Sequence, residues 1–253
     1  MTECTIANGC KVVVVMPAYN AEKTLLQTYH ETVAYGFVDQ VVIVDDCSTD
    51  RTAIVAANLP RTVYHQHKKN MGYGANQQSC YRIALDLGAD IVIMVHPDYQ
   101  YTPKLIPAMT ALIAQEMYHC VLGSRILGGH ALRQGMPWWK YLSNRALTFA
   151  ENILVNAKLS EYHTGYRAFS SKLLKQLPIW KNSNDFIFDN QMLLQILWQG
   201  FEIAEITCPT KYFPEASSIN FSRSLVYGLG CLKTAAHYRL AKCGIASSDL
   251  FEA

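Results

Sequence analysis

Val41 to Asp50 reads VVIVDDCSTD, an apolar, β-branched run that ends on two adjacent carboxylates, Asp45 and Asp46. Strands buried on both faces of a parallel sheet read as unbroken apolar runs, and ligands of open α/β sheets gather at the carboxyl ends of such strands. Asp45 and Asp46 therefore stand where a ligand is expected; the alternative is ordinary loop polarity. A similar run, Ala89 to Val95, ends in His96-Pro97-Asp98-Tyr99-Gln100. Alternate residues of an extended segment point the same way, so His96, Asp98 and Gln100 would form half of a Mn²⁺ or Mg²⁺ site that a diphosphate completes. The run Lys11 to Met16 stops at Pro17, which fixes its own backbone and restricts the residue before it. Tyr19 then offers a face to a flat ring, and Asn20 a cap for the next helix. Finally, Asn70-Met71-Gly72-Tyr73-Gly74 places two glycines near a helix start, where backbone approaches closely and anions bind.

These residues need a scaffold, and the hydrophobic pattern supplies one. Strand-like runs at Lys11–Met16, Gln40–Val44, Thr62–His65 and Ala89–Val95 alternate with helical patterns, among them Leu25, Leu26, Tyr29, Val33 and the stretch Ala75–Leu87. Repeated β-α units predict a parallel sheet with helices on both faces. The second half is less regular. A short strand, Cys120–Leu122, precedes Gly123-Ser124-Arg125, and helices are expected over Trp138–Val155 and Asp189–Trp198, with a late strand at Glu202–Thr207. In the tail, Phe221, Leu225, Leu229 and Leu232 recur at helical spacing among Arg223, Lys233, Arg239 and Lys242. That row either packs on a core or lies in the interface of an anionic membrane.

At 253 residues the chain can bury a full core, and a net charge of +2 gives no global field to attract nucleic acid. Its eight cysteines stand singly, with no C-x-x-C pair, so neither a zinc site nor a disulfide framework is expected and a reducing cytoplasm is the default. No signal-peptide pattern opens the sequence, and no apolar run reaches the roughly 20 residues that span a bilayer. A cytoplasmic protein, free or peripheral on the membrane face, is the expectation.

Taken in order, PAYN, DDCSTD, NMGYG, HPDYQYTP, GSR and TGYRAF resemble the family-two glycosyltransferases of the GT-A fold. Within that family the pattern is similar to dolichyl-phosphate mannose synthase and bacterial polyprenyl-phosphate glycosyltransferases, over about Val12 to Gly230. The resemblance implies a glycosyltransferase domain over residues 1–218 and an amphipathic helical element over 219–253. It implies that Pro17, Tyr19 and Glu22 line a nucleotide pocket with the Gly72 loop, and that Asp45 or Asp46 accepts from base or ribose. Asp98 and Gln100 match metal-binding positions, with His96 standing where relatives carry the first acid. Arg125 and Arg167 would face phosphate oxygens, where guanidinium forks suit two-point contacts. Asp189 matches the catalytic carboxylate, although Phe188 stands where an acid usually precedes it, and a helix cap is its other reading. The implied activity is metal-dependent (Mg²⁺ or Mn²⁺) transfer of a hexose from a UDP- or GDP-sugar to polyprenyl phosphate with inversion. A saccharide or protein hydroxyl as acceptor, and a nucleotide-sugar-binding module without turnover, are the alternatives.

Overall fold

The computed structural model describes residues 6–210 and 221–251. Seven strands, β1 (Val12–Ala18), β2 (Gln40–Asp45), β3 (Thr62–Gln66), β4 (Ile91–Met94), β5 (Cys120–Ser124), β6 (Arg167–Ser170) and β7 (Ile203–Thr207), form one sheet. Their order is β3-β2-β1-β4-β6-β5-β7, parallel throughout except for β6, which runs antiparallel to both β4 and β5. The mostly parallel α/β sheet expected from the sequence is therefore present. β6 is the strand that apolar patterning overlooked, because Arg167-Ala168-Phe169-Ser170 has neither length nor continuous apolar character.

Helices cover both faces. They are α1 (Leu25–Val33), α2 (Thr52–Ala57), α3 (Tyr73–Asp86), α4 (Ile106–Ala114), α5 (Trp138–Val155), α6 (Ser171–Gln176), α7 (Phe188–Trp198) and α8 (Phe221–Lys242). Because side chains alternate along a strand, Val13, Val15, Val42, Val44, Val92 and Met94 point to the face of α3, α6 and α7. Val12, Val14, Met16, Val41, Ile43, Ile91 and Ile93 point to the face of α1, α2 and α4. Both sets are fully buried or nearly so, which explains why the central strands carry no polar alternation. Each such side chain contributes roughly 1.5–3 kcal/mol through burial.

Two local expectations are corrected. Asp189 does not cap α7: the helix starts at Phe188, its cap position is Ile187, and Asp189 lies inside the first turn. In α8 the residues facing inward are Cys231, Ala235 and Tyr238, whereas Leu225 and Leu229 are exposed and Leu232 is half-buried. The helix packs on α5 and α7 through a face the leucine spacing did not select. The boundary expected between residues 218 and 219, and the Phe221 side chain, lie outside what is described.

Candidate active site

From β1 the chain leaves to β2 on one side and later returns to β4 on the other. The carboxyl ends of β1 and β4 therefore flank the point where the winding reverses, the position at which open α/β sheets hold ligands. Pro17–Asn20 leaves one strand there and His96–Gln100 the other. Asn20, Cys47 and Tyr99, one at the end of each of β1, β2 and β4, have φ of 51°, 63° and 58°. Such left-handed backbone at non-glycine residues clusters where function constrains the chain. The Tyr99 conformation also overturns the alternation argument for a metal half-site. β4 has ended at Met94, the segment turns instead of extending, and Asp98 Oδ1 accepts from the Gln100 backbone N–H at 3.0 Å.

The loops after β1 and β2 clasp each other. The Asn20 N–H donates to Ser48 Oγ at 2.8 Å, and Asn20 Oδ1 accepts from the Thr49 N–H at 2.9 Å. Glu22 Oε2 accepts from the Arg51 N–H at 2.9 Å, so this carboxylate serves the start of α2. Pro17 is buried beneath, while Tyr19 is 53 % exposed at the mouth of the crevice. Asp45 is fully buried, bonded through Oδ1 to Ser48 N at 3.0 Å and through Oδ2 to Gln66 Nε2 at 3.1 Å.

Asp46 has a different task. Its Oδ1 meets His67 Nδ1 at 2.7 Å and accepts from Met71 N at 2.8 Å, and its Oδ2 accepts from Gly72 N at 2.9 Å. The anion at the start of α3 is thus the protein's own carboxylate, and Gly72 N–H is already satisfied. The glycines do allow close approach, but to the chain itself. A Cβ at Gly72 would lie 2.6 Å from Asn184 O and one at Gly74 would lie 2.3 Å from Ser183 O, so the loop is pressed against the segment leading into α7.

That contact brings together residues distant in sequence. Tyr73 and Gln77, one helical turn apart on α3, reach Asp189 on α7. Tyr73 Oη donates to Asp189 Oδ2 at 2.7 Å, and Gln77 Nε2 donates to Oδ1 at 2.9 Å. Tyr81, a further turn along, donates to Gln77 Oε1 at 2.9 Å and fixes the amide's orientation. Burial first, and the Asp189 charge second, push the Tyr73 phenol well above its ordinary range, so it remains a donor. Since its one proton goes to Asp189, the nitrogen of His96 3.0 Å away, Nε2, carries the proton that joins the two rings. The rings stack 5.6 Å apart at 5°, and a Cβ on Gly165 would sit 2.4 Å from that same nitrogen. His96 Nε2 is therefore engaged inside the protein and is not available as a metal ligand.

Arg167 is corrected as well. Antiparallel pairing sets it opposite Met94, at the carboxyl end of β4, but its side chain is fully buried. Its Nε donates to Thr164 O at 2.8 Å, Nη1 to Asp189 O at 2.6 Å and Nη2 to Tyr162 O at 3.0 Å, while Nη1 lies 3.9 Å from Asp189 Oδ1. Burial opposes its charge, and Asp189 with the nearby phenols outweighs that. The guanidinium braces the start of β6 against α7 instead of facing a phosphate. Arg125 is half-buried and paired with Glu161: its N–H donates to Oε2 at 2.9 Å and its Nε to Oε1 at 2.8 Å. Burial of Glu161 favours the neutral acid, but Arg125 overcomes this and holds the carboxyl below its ordinary value. Beside Arg125 a cavity of about 270 Å³ opens between the ends of β5 and β7, lined also by Ser124, His130, Gln134 and Cys208.

Asp98 and Gln100 remain half-buried at the end of β4. Among the described residues no three His, Cys, Asp or Glu side chains converge. The side-chain oxygens of Asp98 and Gln100 are hard donors of the kind that Mg²⁺ or Mn²⁺ takes together with phosphate oxygens and water. Tyr73, Gln77 and Glu161 escaped the sequence reading. The signal for the first two was present, as Tyr73, Gln77 and Tyr81 form a polar stripe at i, i+4 and i+8 on a helix that otherwise faces a core.

Comparison with known proteins agrees with this fold. Residues 13–178 match the family described as Glycosyl transferase family 2. A UDP-N-acetylglucosamine–dolichyl-phosphate N-acetylglucosaminyltransferase of Methanococcus voltae is 25% identical over 217 residues, 79% of this chain and 86% of its own. A dolichyl-phosphate hexose transferase of Haloferax volcanii is 26% identical over 233 residues, 89% of this chain and 96% of its own. Among solved structures, glucosyl-3-phosphoglycerate synthase from Mycobacterium tuberculosis in complex with UDP superposes with a TM-score of 0.67 at 21% identity, covering 96% of this chain and 83% of the other. The same enzyme with Mn²⁺, UDP and phosphoglyceric acid gives a TM-score of 0.65 at 19% identity, covering 96% and 82%. These neighbours establish the GT-A architecture. The chain belongs to glycosyl transferase family 2.

Proposed function

We propose that this glycosyltransferase moves a hexose from a nucleotide-diphosphate sugar, UDP- or GDP-linked, to polyprenyl phosphate with inversion. The observation that carries the acceptor is the state of Asp189. Both of its carboxylate oxygens accept hydrogen bonds, from Tyr73 and Gln77, and the charged Arg167 lies beside it. Both oxygens thus already serve protein donors, which gives Asp189 a bracing place between α3 and α7. A hydroxyl nucleophile needs a base, whereas a phosphate monoester arrives already anionic. Phosphate oxygen attacks C1 as the bond from C1 to the diphosphate breaks, the nucleoside diphosphate departs with the electron pair, and no proton has to move. A single displacement from the opposite face inverts the anomeric centre. Relatives named for dolichyl phosphate support the same class of acceptor.

Within this reading the crevice at the ends of β1 and β4 holds the donor, Tyr19 stacks on its base, and Asp98 with Gln100 holds a divalent ion against the diphosphate. That ion, when bound, offsets the charge growing on the leaving group. Arg167 and His96 act at one remove, fixing Asp189 and Tyr73.

The test is transfer from UDP-glucose, UDP-N-acetylglucosamine and GDP-mannose to a short polyprenyl phosphate with Mn²⁺, following lipid-linked sugar by mass spectrometry and its anomer by NMR. Sugar on the phosphate, of inverted configuration, is expected from one donor, with loss of product in excess chelator and in Asp98→Asn. Transfer confined to hydroxyl acceptors would overturn the acceptor, and donor binding without nucleotide release would mark a binding module.

A further inference from the structure

Asp45, at the end of β2, has the chemistry to accept from a nucleotide base, but the chain itself occupies it. Its Oδ1 accepts from the Ser48 N–H at 3.0 Å and from the Ser48 hydroxyl. Its Oδ2 accepts from Gln66 Nε2 at 3.1 Å and from Tyr64 Oη at 3.4 Å. Tyr64 and Gln66 alternate along β3 and so reach the carboxylate from one face. Burial first, and the Asp45 charge second, push the Tyr64 phenol up to about 12, so it stays a donor. A carboxylate offers about four acceptor sites, and these four donors fill them. With the side chain fully buried as well, Asp45 has nothing left to offer a ligand.

What Asp45 does instead is orient Gln66, the last residue of β3 and its partner in register. An ionised carboxylate only accepts, so the amide nitrogen faces Asp45 and the amide oxygen faces away. Gln66 is exposed, which turns Oε1 outward at the carboxyl edge of the sheet. The same carboxylate ties this amide to the turn that carries Tyr19. The Asn20 N–H donates to Ser48 Oγ at 2.8 Å, and that hydroxyl donates to Asp45. Tyr19 and Gln66 therefore stand on one braced wall, and an amide already held in place loses less freedom when it binds. Strand order sets the reach. In β3-β2-β1-β4, Gln66 lies three strand spacings from β4, about 14 Å. A nucleoside diphosphate with its phosphates at Asp98 and Gln100 extends along that edge, ribose toward β1 and β2 and base toward β3.

We infer that Gln66, held by Asp45, is the residue that reads the base of the donor, its Oε1 accepting from the ring N–H of uracil or guanine. Uracil presents N3–H and guanine N1–H, each a ring N–H beside a carbonyl, and an amide oxygen needs such a donor. Cytosine presents a lone pair at the same ring position, which Oε1 repels. The inference deepens the donor reading above and rests on it for the diphosphate at the end of β4. It moves base recognition from the buried carboxylates of β2 to an exposed amide one strand away.

Calorimetric binding to the full chain with Mn²⁺ tests it, using UDP, N3-methyl-UDP, GDP, N1-methyl-GDP and CDP. The tighter of UDP and GDP identifies the base. Its N-methyl form, which lacks the ring N–H, should bind at least about 3- to 10-fold more weakly, the worth of one neutral hydrogen bond. CDP should bind more weakly than the preferred nucleotide by at least the same factor. Gln66→Met keeps the length of the side chain and removes the acceptor at an exposed position, so the fold is retained, as a thermal melt checks. This variant should lose about 3- to 10-fold in affinity for the parent nucleotide, and its preference for parent over N-methyl form should shrink by a similar factor. A side chain that only braced Asp45 would leave that preference as it is in wild type. Equal binding of parent and N-methyl forms by wild type, equal binding of CDP, or an unchanged preference in Gln66→Met overturns the assignment of Gln66 and leaves the donor reading standing. Binding of none of the five nucleotides refutes the donor reading and this assignment with it.

Discussion

At the scale of single residues, Asp189 decides between acceptors, because a bracing carboxylate and a general base respond differently to the same substitution. In Asp189→Asn the amide keeps one acceptor but turns an NH₂ toward a donor, Tyr73 Oη or Gln77 Nε2, and Arg167 loses its countercharge. Stability should fall by about 1–3 kcal/mol, measured by urea unfolding. With polyprenyl phosphate the rate per folded molecule should fall by less than about tenfold, well short of the roughly 10²–10⁴ that loss of a general base produces. A collapse of the rate at matched folded fraction would assign Asp189 as base and return the hydroxyl acceptor.

At the scale of elements, the site depends on how tightly α3 meets the start of α7. A Cβ on Gly74 would lie 2.3 Å from Ser183 O and 2.8 Å from Phe188 Cβ, and neither atom is the end of a flexible side chain. Gly74→Ala should therefore push the helices apart, cost about 1–3 kcal/mol and slow transfer by stretching the bonds from Tyr73 and Gln77 to Asp189. Gly228 in α8 provides the contrast. A Cβ there meets Leu147 at an ordinary 3.7 Å, so Gly228→Ala should raise stability by about 0.5–1 kcal/mol through helix propensity. Thermal melts of the two variants check both signs.

At the scale of the whole molecule, a buried acid and imidazole join α5, α7, α8 and the segment before β6. Glu151 accepts from Asn190 Nδ2, and its other oxygen lies 3.3 Å from His163 Nε2. Burial raises the Glu151 carboxyl to about 8 and lowers the His163 imidazole to about 4, so near neutrality this is an acid-to-imidazole contact and not an ion pair. Between the carboxyl's ordinary 4.5 and about 8 the folded chain holds a proton that the unfolded chain has released, and that contribution to stability is lost as pH rises. Between about 4 and the imidazole's ordinary 6.5 the unfolded chain binds a proton that the folded chain refuses, and that contribution grows as pH rises. The two oppose each other up to 6.5, and above it only the carboxyl acts. Stability should therefore decline from pH 6.5 to 8, by up to about 2 kcal/mol. Glu151→Gln, which has no proton to lose, should flatten the decline in urea titrations across that range.

The sequence by itself determined the strands of the parallel half, the loops that end them and the family to which their order points. Those features are local: continuous apolar runs and carboxylates at strand ends follow from the chemistry of neighbouring residues, whereas the stop expected at Pro17 is overrun, since β1 continues in register with β2 to Ala18. Tertiary structure decided what the polar residues do. Asp46 and Arg167 have the chemistry of ligand-binding groups, yet the fold surrounds them with backbone donors and carbonyls, and a buried charge takes the partners it meets first. Tyr73 and Gln77 became site residues only when the glycines of their loop let α3 press against residue 184, more than a hundred positions away. β6 reversed direction between β4 and β5 for the same reason, since four residues of weak pattern take their place from the strands that flank them. The exposed leucines of α8 show the limit most plainly: helical spacing marks one apolar face, and only packing against α5 and α7 settles whether that face or another turns inward.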